Sequence, residues 1–342
     1  MSTYINPSKP GKSMDFSDCP PLVKDFLQYT LTIRNLSIRT VNGYYIDLRT
    51  FFKYLQFHRG LAASDTPVQD VNISGIDAGY IQKIDKAEIY DFLFYATQER
   101  GNSSATRARK LSSLRSFFKY LTNKMGLLQK NPMDDIEMPS QKKRLPKYLT
   151  LDESVELLNN IQSDFYERDY CIITLFLNCG MRLSELVGIN ISDIKEDILR
   201  VVGKGDKERM IYLNDACLMA IYNLTTERAN IKKITDDRAL FISRKTGARL
   251  SARRVQQIVN DCLKYAGLDG KGYSVHKLRH TAATLMYQHG HVDLLSLKEM
   301  LGHADVSTTE IYTHLDSAQL KQAAAASPLA GIKNNKPRKK PE

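Results

Sequence analysis

Tryptophan is absent from this 342-residue sequence, and cysteine is scarce. The five cysteines, Cys19, Cys171, Cys179, Cys217 and Cys262, are odd in number, scattered and never in a CxxC pair. That pattern excludes a disulfide framework and a cysteine-based zinc site, and it points to reduced, mostly buried thiols. No stretch approaches the about 20 apolar residues of a membrane-crossing helix, and the opening MSTYINPSKPGKSMDFSD lacks the apolar centre of a secretion signal. A cytoplasmic location is the expectation. The glycine-flanked basic turn GKGDK at 203–207 lacks the spacing of a nucleotide phosphate loop, so ATP is not implied.

Positive charge is what the sequence has in excess. Lysine and arginine number 49 against 38 acids, for a formal charge of +11. A chain that basic usually meets a polyanion, with nucleic acid ahead of an anionic membrane surface. Hydrophobic residues at 42% and charged residues at 25% are ordinary globular values, which rules out a disordered or fibrous chain. At this length two domains are more natural than one core.

The division is expected at QKKRLPKY, which follows the turn-rich NPMDDIEMPS. This gives a first domain over 1–140 with helices from about residue 20, a basic linker over 141–147, a larger domain over 148–330 and a basic tail over 331–342. Residues 1–140 carry 18 basic and 14 acidic side chains, 141–147 carry 4 and none, 148–332 carry 22 and 23, and the last ten carry 5 and 1. The larger domain is therefore near neutral, and the excess lies in the first domain, the linker and the tail.

Helical periodicity dominates the first domain. Val41, Tyr44, Tyr45, Leu48, Phe51, Phe52 and Leu55 recur at three-and-four spacing, as do Leu111, Leu114, Phe117, Phe118 and Leu121. The two segments share an octapeptide, LRTFFKYL at 48–55 and LRSFFKYL at 114–121, which suggests a duplicated helical hairpin. On the second segment Arg107, Arg109, Lys110, Arg115 and Lys119 stand with no acid between them. A solvated helix face normally mixes signs, so these five, with Lys142, Lys143 and Arg144 of the linker, are candidates for phosphate contact. Residues 60–84 read as a long polar connection.

The larger domain mixes elements. Residues 165–178 form a near-continuous apolar helix closed by Gly180, and another helix begins at Arg182. ILRVVGKGDKERMIYL reads as two short strands with Lys204 and Lys207 at the turn between them. Helices are expected over 215–231, 251–266 and from about Ser274 to Gly290, with ALFIS at 239–243 a further short strand. Ser307 and Glu310 fit a capping box that would start a short helix carrying Tyr312.

Among these elements HKLRH puts His276 and Arg279 one helical turn apart on one face. Arg182 follows a glycine in GMRLSEL, with Glu185 one turn on. His303 follows Gly302 in LGHADVSTTEIYTH, and Tyr312 comes nine positions later. Any one of these alone has an ordinary reading as a surface ion pair or half-buried packing. Six of the seven histidines lie between 276 and 314, and His276 and His280 have the spacing of a zinc-binding helix. Lys277 and Arg279 between them oppose a cation, and there is no glutamate to act as base, so no metal is assigned.

In chain order, Arg182, Lys204, HKLRH, LGH and the following tyrosine resemble the signature blocks of the tyrosine recombinase (lambda-integrase-like) family, most closely its Xer group. The resemblance covers about residues 20–325. It implies a mainly α fold with a small antiparallel β element, made of an N-terminal helical, SAM-like core-binding domain and an α+β catalytic domain. It also implies site-specific strand exchange through a 3′-phosphotyrosyl intermediate and a Holliday junction, without metal, nucleotide or other cofactor. The partners would be double-stranded DNA with paired inverted half-sites and a homo- or hetero-tetramer on two sites, with room for accessory proteins and a place at the nucleoid.

The implied roles agree with the chemistry of the residues. A free tyrosine has a pKa near ~10, so few are ionised at pH 7 and attack on phosphate needs help. Arg182 and Arg279 can each donate paired hydrogen bonds to the non-bridging phosphate oxygens, and His303 a further one. His276 suits proton exchange with the nucleophile Tyr312, because histidine titrates near neutrality. Family resemblance gives Lys204 the protonation of the departing 5′ oxygen, Glu185 the orientation of a neighbouring catalytic side chain, and residues 317–328 an exchange helix docking on the next protomer. The long connection at 60–84 and the basic tail leave both chromosome-dimer resolution and mobile-element integration open. With only about 20 residues before the first helix, no separate arm-binding domain is expected. A type IB topoisomerase and a silent DNA-binding regulator are the alternatives, the second disfavoured because all six catalytic-type residues are present.

Overall fold

The two copies of the octapeptide fold into helices whose matching faces meet. Leu48, Phe51, Phe52 and Leu55 on α2 (Ile38–His58) and Leu114, Phe117, Phe118 and Leu121 on α5 (Ser104–Asn123) are all fully buried. Their rings pack edge to face: Phe52 and Phe117 lie 5.9 Å apart at 88°, Phe51 and Phe118 6.3 Å apart at 85°. That arrangement favours the positive ring edge against the negative face. The computed structural model describes residues 16–63, 65–140, 147–203, 208–289 and 294–301. The chain divides into two units, Met1–Lys143 and Arg144–Glu342.

The first unit is helical throughout. α1 (Pro21–Thr32) opens on a proline, harmless in a first turn where no helical bond needs its missing N–H. Ser37 and Ser103 cap α2 and α5 by accepting from the backbone N–H of Thr40 and Thr106. α3 (Ala78–Gln82) and α4 (Lys86–Gln98) follow Asp77 and Asp85, and Asp85 with Glu88 forms a reciprocal capping box. The connection at 60–84 differs from the polar reading. Val71, Ile73, Ile76, Ile81 and Ile84 are buried, and Lys53 turns inward to donate to the Gln69 carbonyl at 2.8 Å. These five are spaced without a helical or strand period, yet each is buried.

In the second unit α6 (Leu151–Asn159) starts at a Thr150/Glu153 capping box, and α7 (Tyr166–Cys179) forms the buried centre with Cys171, Ile172, Ile173, Leu175 and Phe176. α8 is Leu183–Gly188. A three-stranded antiparallel sheet follows, β1 (Ile194–Lys195), β2 (Ile198–Val202) and β3 (Glu208–Tyr212), in that order. Leu199, Val201 and Ile211 face the core, while Arg200, Val202, Met210 and Tyr212 face outward. α9 (Asp215–Ala229), α10 (Ala252–Tyr265), α11 (Val275–Gln288) and α12 (Leu294–Leu301) complete the described elements. The expected strand at 239–243 makes only single bridges, Asn190 with Ala239 and Ile242 with Arg249. The Leu240 N–H donates to the Ile189 carbonyl at 3.1 Å, and Arg249 joins it there, donating to the carbonyls of Val187 and Ile189 at 2.9 and 3.0 Å and to Asn190 Oδ1 at 2.6 Å. The fold is thus mainly α with a small antiparallel sheet. No described helix is long and apolar enough to cross a membrane.

Gly180 sets the approach of α7 to α11 and α12. It is left-handed with φ 55°, and a Cβ there would fall 2.7 Å from Leu301 Cδ2 and 3.4 Å from Ala282 Cβ. Only glycine combines that backbone with that proximity.

Candidate active site around Glu185

The turn from α7 into α8 places Arg182 directly after Gly180 and Met181, and Glu185 reaches back to it. The Arg182 backbone N–H donates to Glu185 Oε2 at 2.7 Å, and Arg182 Nη1 donates to Oε1 at 2.7 Å. The Glu185 side chain has no exposed surface. A buried carboxylate needs partners, and three arginines from three elements supply them. Arg209 of β3 donates from Nη2 to Glu185 Oε2 at 2.8 Å, and Arg279 Nη1 of α11 stands 4.0 Å from the same oxygen. Burial pushes the Glu185 carboxyl up. The hydrogen bond from the Arg182 backbone and the charges of Arg209 and Arg182 outweigh it and hold the group below the usual carboxylate range. One negative and three positive charges leave a local excess of positive charge suited to a phosphodiester.

Arg279 is itself buried, and its guanidinium donates to the carbonyls of Gly180 at 2.7 Å and Leu301 at 2.6 Å. Arg209 Nη1 donates to the neighbouring Met300 carbonyl. The carbonyls of Met300 and Leu301, the last two described residues of α12, thus each accept from an arginine of another element. His276 is exposed on the first turn of α11, one turn before Arg279. His280 lies half-buried one turn further on. Burial, then the charges of Lys277, Arg279 and His276, lower it to about 4, so its ring is neutral at pH 7. Tyr287 packs against the buried Ala283, Leu297 and Leu301.

The structure therefore brings Arg182, Glu185 and Arg279 together, with His276 nearby on the helix of Arg279. Lys204, His303 and Tyr312 lie outside the described residues, as do the 204–207 turn, the 307–310 capping box, residues 317–328 and the tail. The strands on either side of the Lys204 turn are described and pair as a hairpin, ending with Val202 opposite Glu208. Among the described residues no three His, Cys, Asp or Glu side chains gather as metal ligands would.

On α5 the basic residues do not form one outward face. Lys110 is buried, its ammonium 3.4 Å from Asp47 Oδ1 of α2. Burial lowers its pKa and Asp47 raises it, the net shift being downward. Arg109 also reaches Asp47, at 2.5 Å, with its side chain half exposed. Arg107 donates to the Asn102 carbonyl at 2.6 Å and Arg115 to the Ile136 carbonyl at 2.5 Å, while Lys119 is exposed. The acid that the helix itself lacks is supplied by α2, which turns Lys110 inward. Lys142, Lys143 and Arg144 lie outside the described residues.

Arg209 is the residue of this site that sequence reasoning missed. Its signal was present in the period-two alternation of ERMIY, which puts Arg209 on the same inward side as Ile211. A charge at an inward strand position needs a buried partner.

Residues 147–319 match the Phage integrase family, and residues 76–125 match its N-terminal SAM-like domain. Tyrosine recombinase XerC of Caldanaerobacter subterraneus subsp. tengcongensis is 49% identical over 311 residues, 91% of this chain and 88% of the relative. Tyrosine recombinase XerD of Listeria monocytogenes is 32% identical over 305 residues, 88% of this chain and 96% of the relative. The crystal structure of XerH site-specific recombinase bound to its difH substrate before cleavage superposes with a TM-score of 0.64 at 26% identity, covering 89% of this chain and 84% of that one. The chain belongs to the phage integrase family, as a tyrosine recombinase most similar to the Xer group.

Proposed function

We propose that this chain is a site-specific DNA recombinase that cuts and rejoins strands through a covalent bond to Tyr312. The observation that carries the reading is the cluster at the α7–α8 turn, where Glu185 holds Arg182 and the Gly180 carbonyl holds Arg279 beside it. Fixed cations of this kind stabilise the charge of a pentacoordinate phosphorus without reorganising as it forms. The Tyr312 oxygen attacks phosphorus and its proton passes to His276. The bond from phosphorus to the 5′ oxygen breaks, and Lys204 supplies a proton to that oxygen. A 3′-phosphotyrosyl bond and a free 5′ hydroxyl result, and attack by a 5′ hydroxyl from the partner duplex reverses the steps. The bond energy is kept in the phosphotyrosyl linkage, so joining needs no nucleotide. His303 adds a hydrogen bond to the non-bridging oxygens.

The DNA would be two inverted half-sites, contacted through Lys119 and Arg109 of α5, with Arg107 and Arg115, and through the linker residues Lys142, Lys143 and Arg144. Four protomers on two sites would be linked by residues 317–328 docking on a neighbour. Deleting 316–342 should then leave half-site affinity intact and abolish cooperative occupancy of the paired site; unchanged cooperativity would refute the docking.

The reading as a whole is tested with two plasmids carrying the site this protein selects from random duplex DNA. Recombinant products together with detergent-resistant protein–DNA adducts are expected. Relaxation of supercoils with no recombinants would favour a topoisomerase, and binding with neither would favour a silent regulator.

A further inference from the structure

Arg209 lies outside the residues to which the proposed chemistry assigns a role, yet it makes the contacts that tie the site together. Strand alternation directs it inward, and its register opposite Val201 puts it one pair inside the end of the hairpin that carries Lys204. Only 13% of its side chain is exposed. One terminal nitrogen donates to Glu185 Oε2 at 2.8 Å, the other donates to the Met300 carbonyl, and Nε is buried without a partner among the described residues. Leaving a buried N–H unpaired is costly, so the guanidinium is held here by its two terminal contacts against that cost.

The consequence lies in how Glu185 Oε2 is filled. A carboxylate oxygen has two strong acceptor positions. The Arg182 backbone N–H takes one at 2.7 Å and Arg209 takes the other. Arg279, 4.0 Å from that oxygen, is left outside hydrogen-bond distance and donates instead to Gly180 and Leu301. If Arg209 were removed, Arg279 would be the cation nearest the vacated position, in a buried site where opposite charges attract strongly. Arg279 would turn toward Glu185 and away from the geometry in which it can meet a phosphate. Arg209 and Arg279 also hold the adjacent carbonyls of Met300 and Leu301, which immediately precede Gly302 and His303.

We propose that Arg209 is a positioning residue of the recombination site: by saturating Glu185 it keeps Arg279 oriented for the scissile phosphate, and by holding the Met300 carbonyl it ties α12 to β3 beside Glu185. It acts through Glu185 and α12 and does not itself touch DNA. The inference rests on the reading under Proposed function.

The test is single-turnover formation of the covalent adduct on a nicked suicide duplex bearing the half-site that this protein selects from random DNA. Arg209→Met should slow it on the order of 100-fold, the scale of a misplaced electrostatic group, with half-site affinity within about threefold. A duplex with a bridging 5′-phosphorothiolate, whose sulfur leaves without protonation, should show the same slowing. Arg209→Lys, which can reach Glu185 or Met300 but not fork to both, should recover part of the rate. The Glu185→Gln/Arg209→Met double variant should be no slower than Glu185→Gln alone. Rescue by the thiolate duplex would overturn the proposal, since Arg209 would then serve only the Lys204 hairpin. Independent, multiplying losses in the double variant would overturn it too, as would an unchanged rate in Arg209→Met or an equal loss of affinity and rate that lysine does not relieve. If the wild-type protein forms no adduct, the failure belongs to the proposed function and not to Arg209.

Discussion

Arg182 and Glu185 hold each other twice across one helical turn, backbone N–H to Oε2 and guanidinium to Oε1, both at 2.7 Å. The carboxylate thus fixes both the start of α8 and the head of the arginine that we propose meets the phosphate. Glu185→Gln keeps the shape and removes the charge that gathers three arginines. We expect adduct formation to fall by about 10²-fold, and stability to fall with it. The pH dependence carries a sign. A carboxyl held below its unfolded value stabilises the fold above about pH 4.3 and loses that contribution as pH falls through the depressed value. Denaturant unfolding between pH 3 and pH 6 should therefore be less steeply pH-dependent in Glu185→Gln than in the wild type.

His280 gives the second titration. Its folded value is lowered to about 4 by burial and by the cations Lys277, Arg279 and His276. The unfolded chain binds this proton more readily, near ~6.5. Its contribution is therefore complete above that pH and is lost as pH falls from there toward about 4. His280→Gln should flatten the stability curve in that window and leave it unchanged above pH 7. A curve of unchanged slope between pH 6.5 and 4 would show that His280 is not held neutral.

Asp47 tests whether the basic face of α5 is structural or reserved for DNA. Its side chain has no exposed surface, and it accepts from Ser113 at 2.8 Å as well as from Arg109 and Lys110. Asp47→Ala should destabilise the protein by about 3 kcal/mol, because Lys110 then lacks its buried counter-ion. Asp47→Leu combined with Lys110→Met should recover much of that loss. Urea unfolding measures both. In DNA titrations Lys110→Met should leave the salt dependence of binding unchanged, while Lys119→Ala should reduce the log–log slope by about 0.9. A reduced slope for Lys110→Met would mean that Lys110 leaves Asp47 for a phosphate.

Local signals were the ones that could be read in advance. The helical spacing of Leu48, Phe51, Phe52 and Leu55, the turn at Gly180 and the one-turn interval from Arg182 to Glu185 are encoded within a few residues, so elementary geometry located them. Partners distant in the chain were not legible. Lys110 looked outward because Asp47, the acid that turns it in, lies 63 residues earlier on another helix. Ile73, Ile76 and Ile84 stand singly among polar neighbours, and no periodicity marks a residue that reaches the core from a loop. Residues 239–243 have strand composition but pair only at the single bridges to Asn190 and Arg249, too few to make a ladder. Arg209 failed to stand out among 49 basic residues until strand register gave it a direction.

Tyr312 is the nucleophile of the proposed chemistry, and removing one hydroxyl isolates it. With the selected half-site in a nicked suicide duplex, wild-type protein should accumulate a detergent-resistant adduct as the cut strand diffuses away. Tyr312→Phe should bind the same duplex with unchanged affinity and form no adduct. An adduct at wild-type yield from Tyr312→Phe would contradict the assignment outright and move the search for the nucleophile to Tyr287.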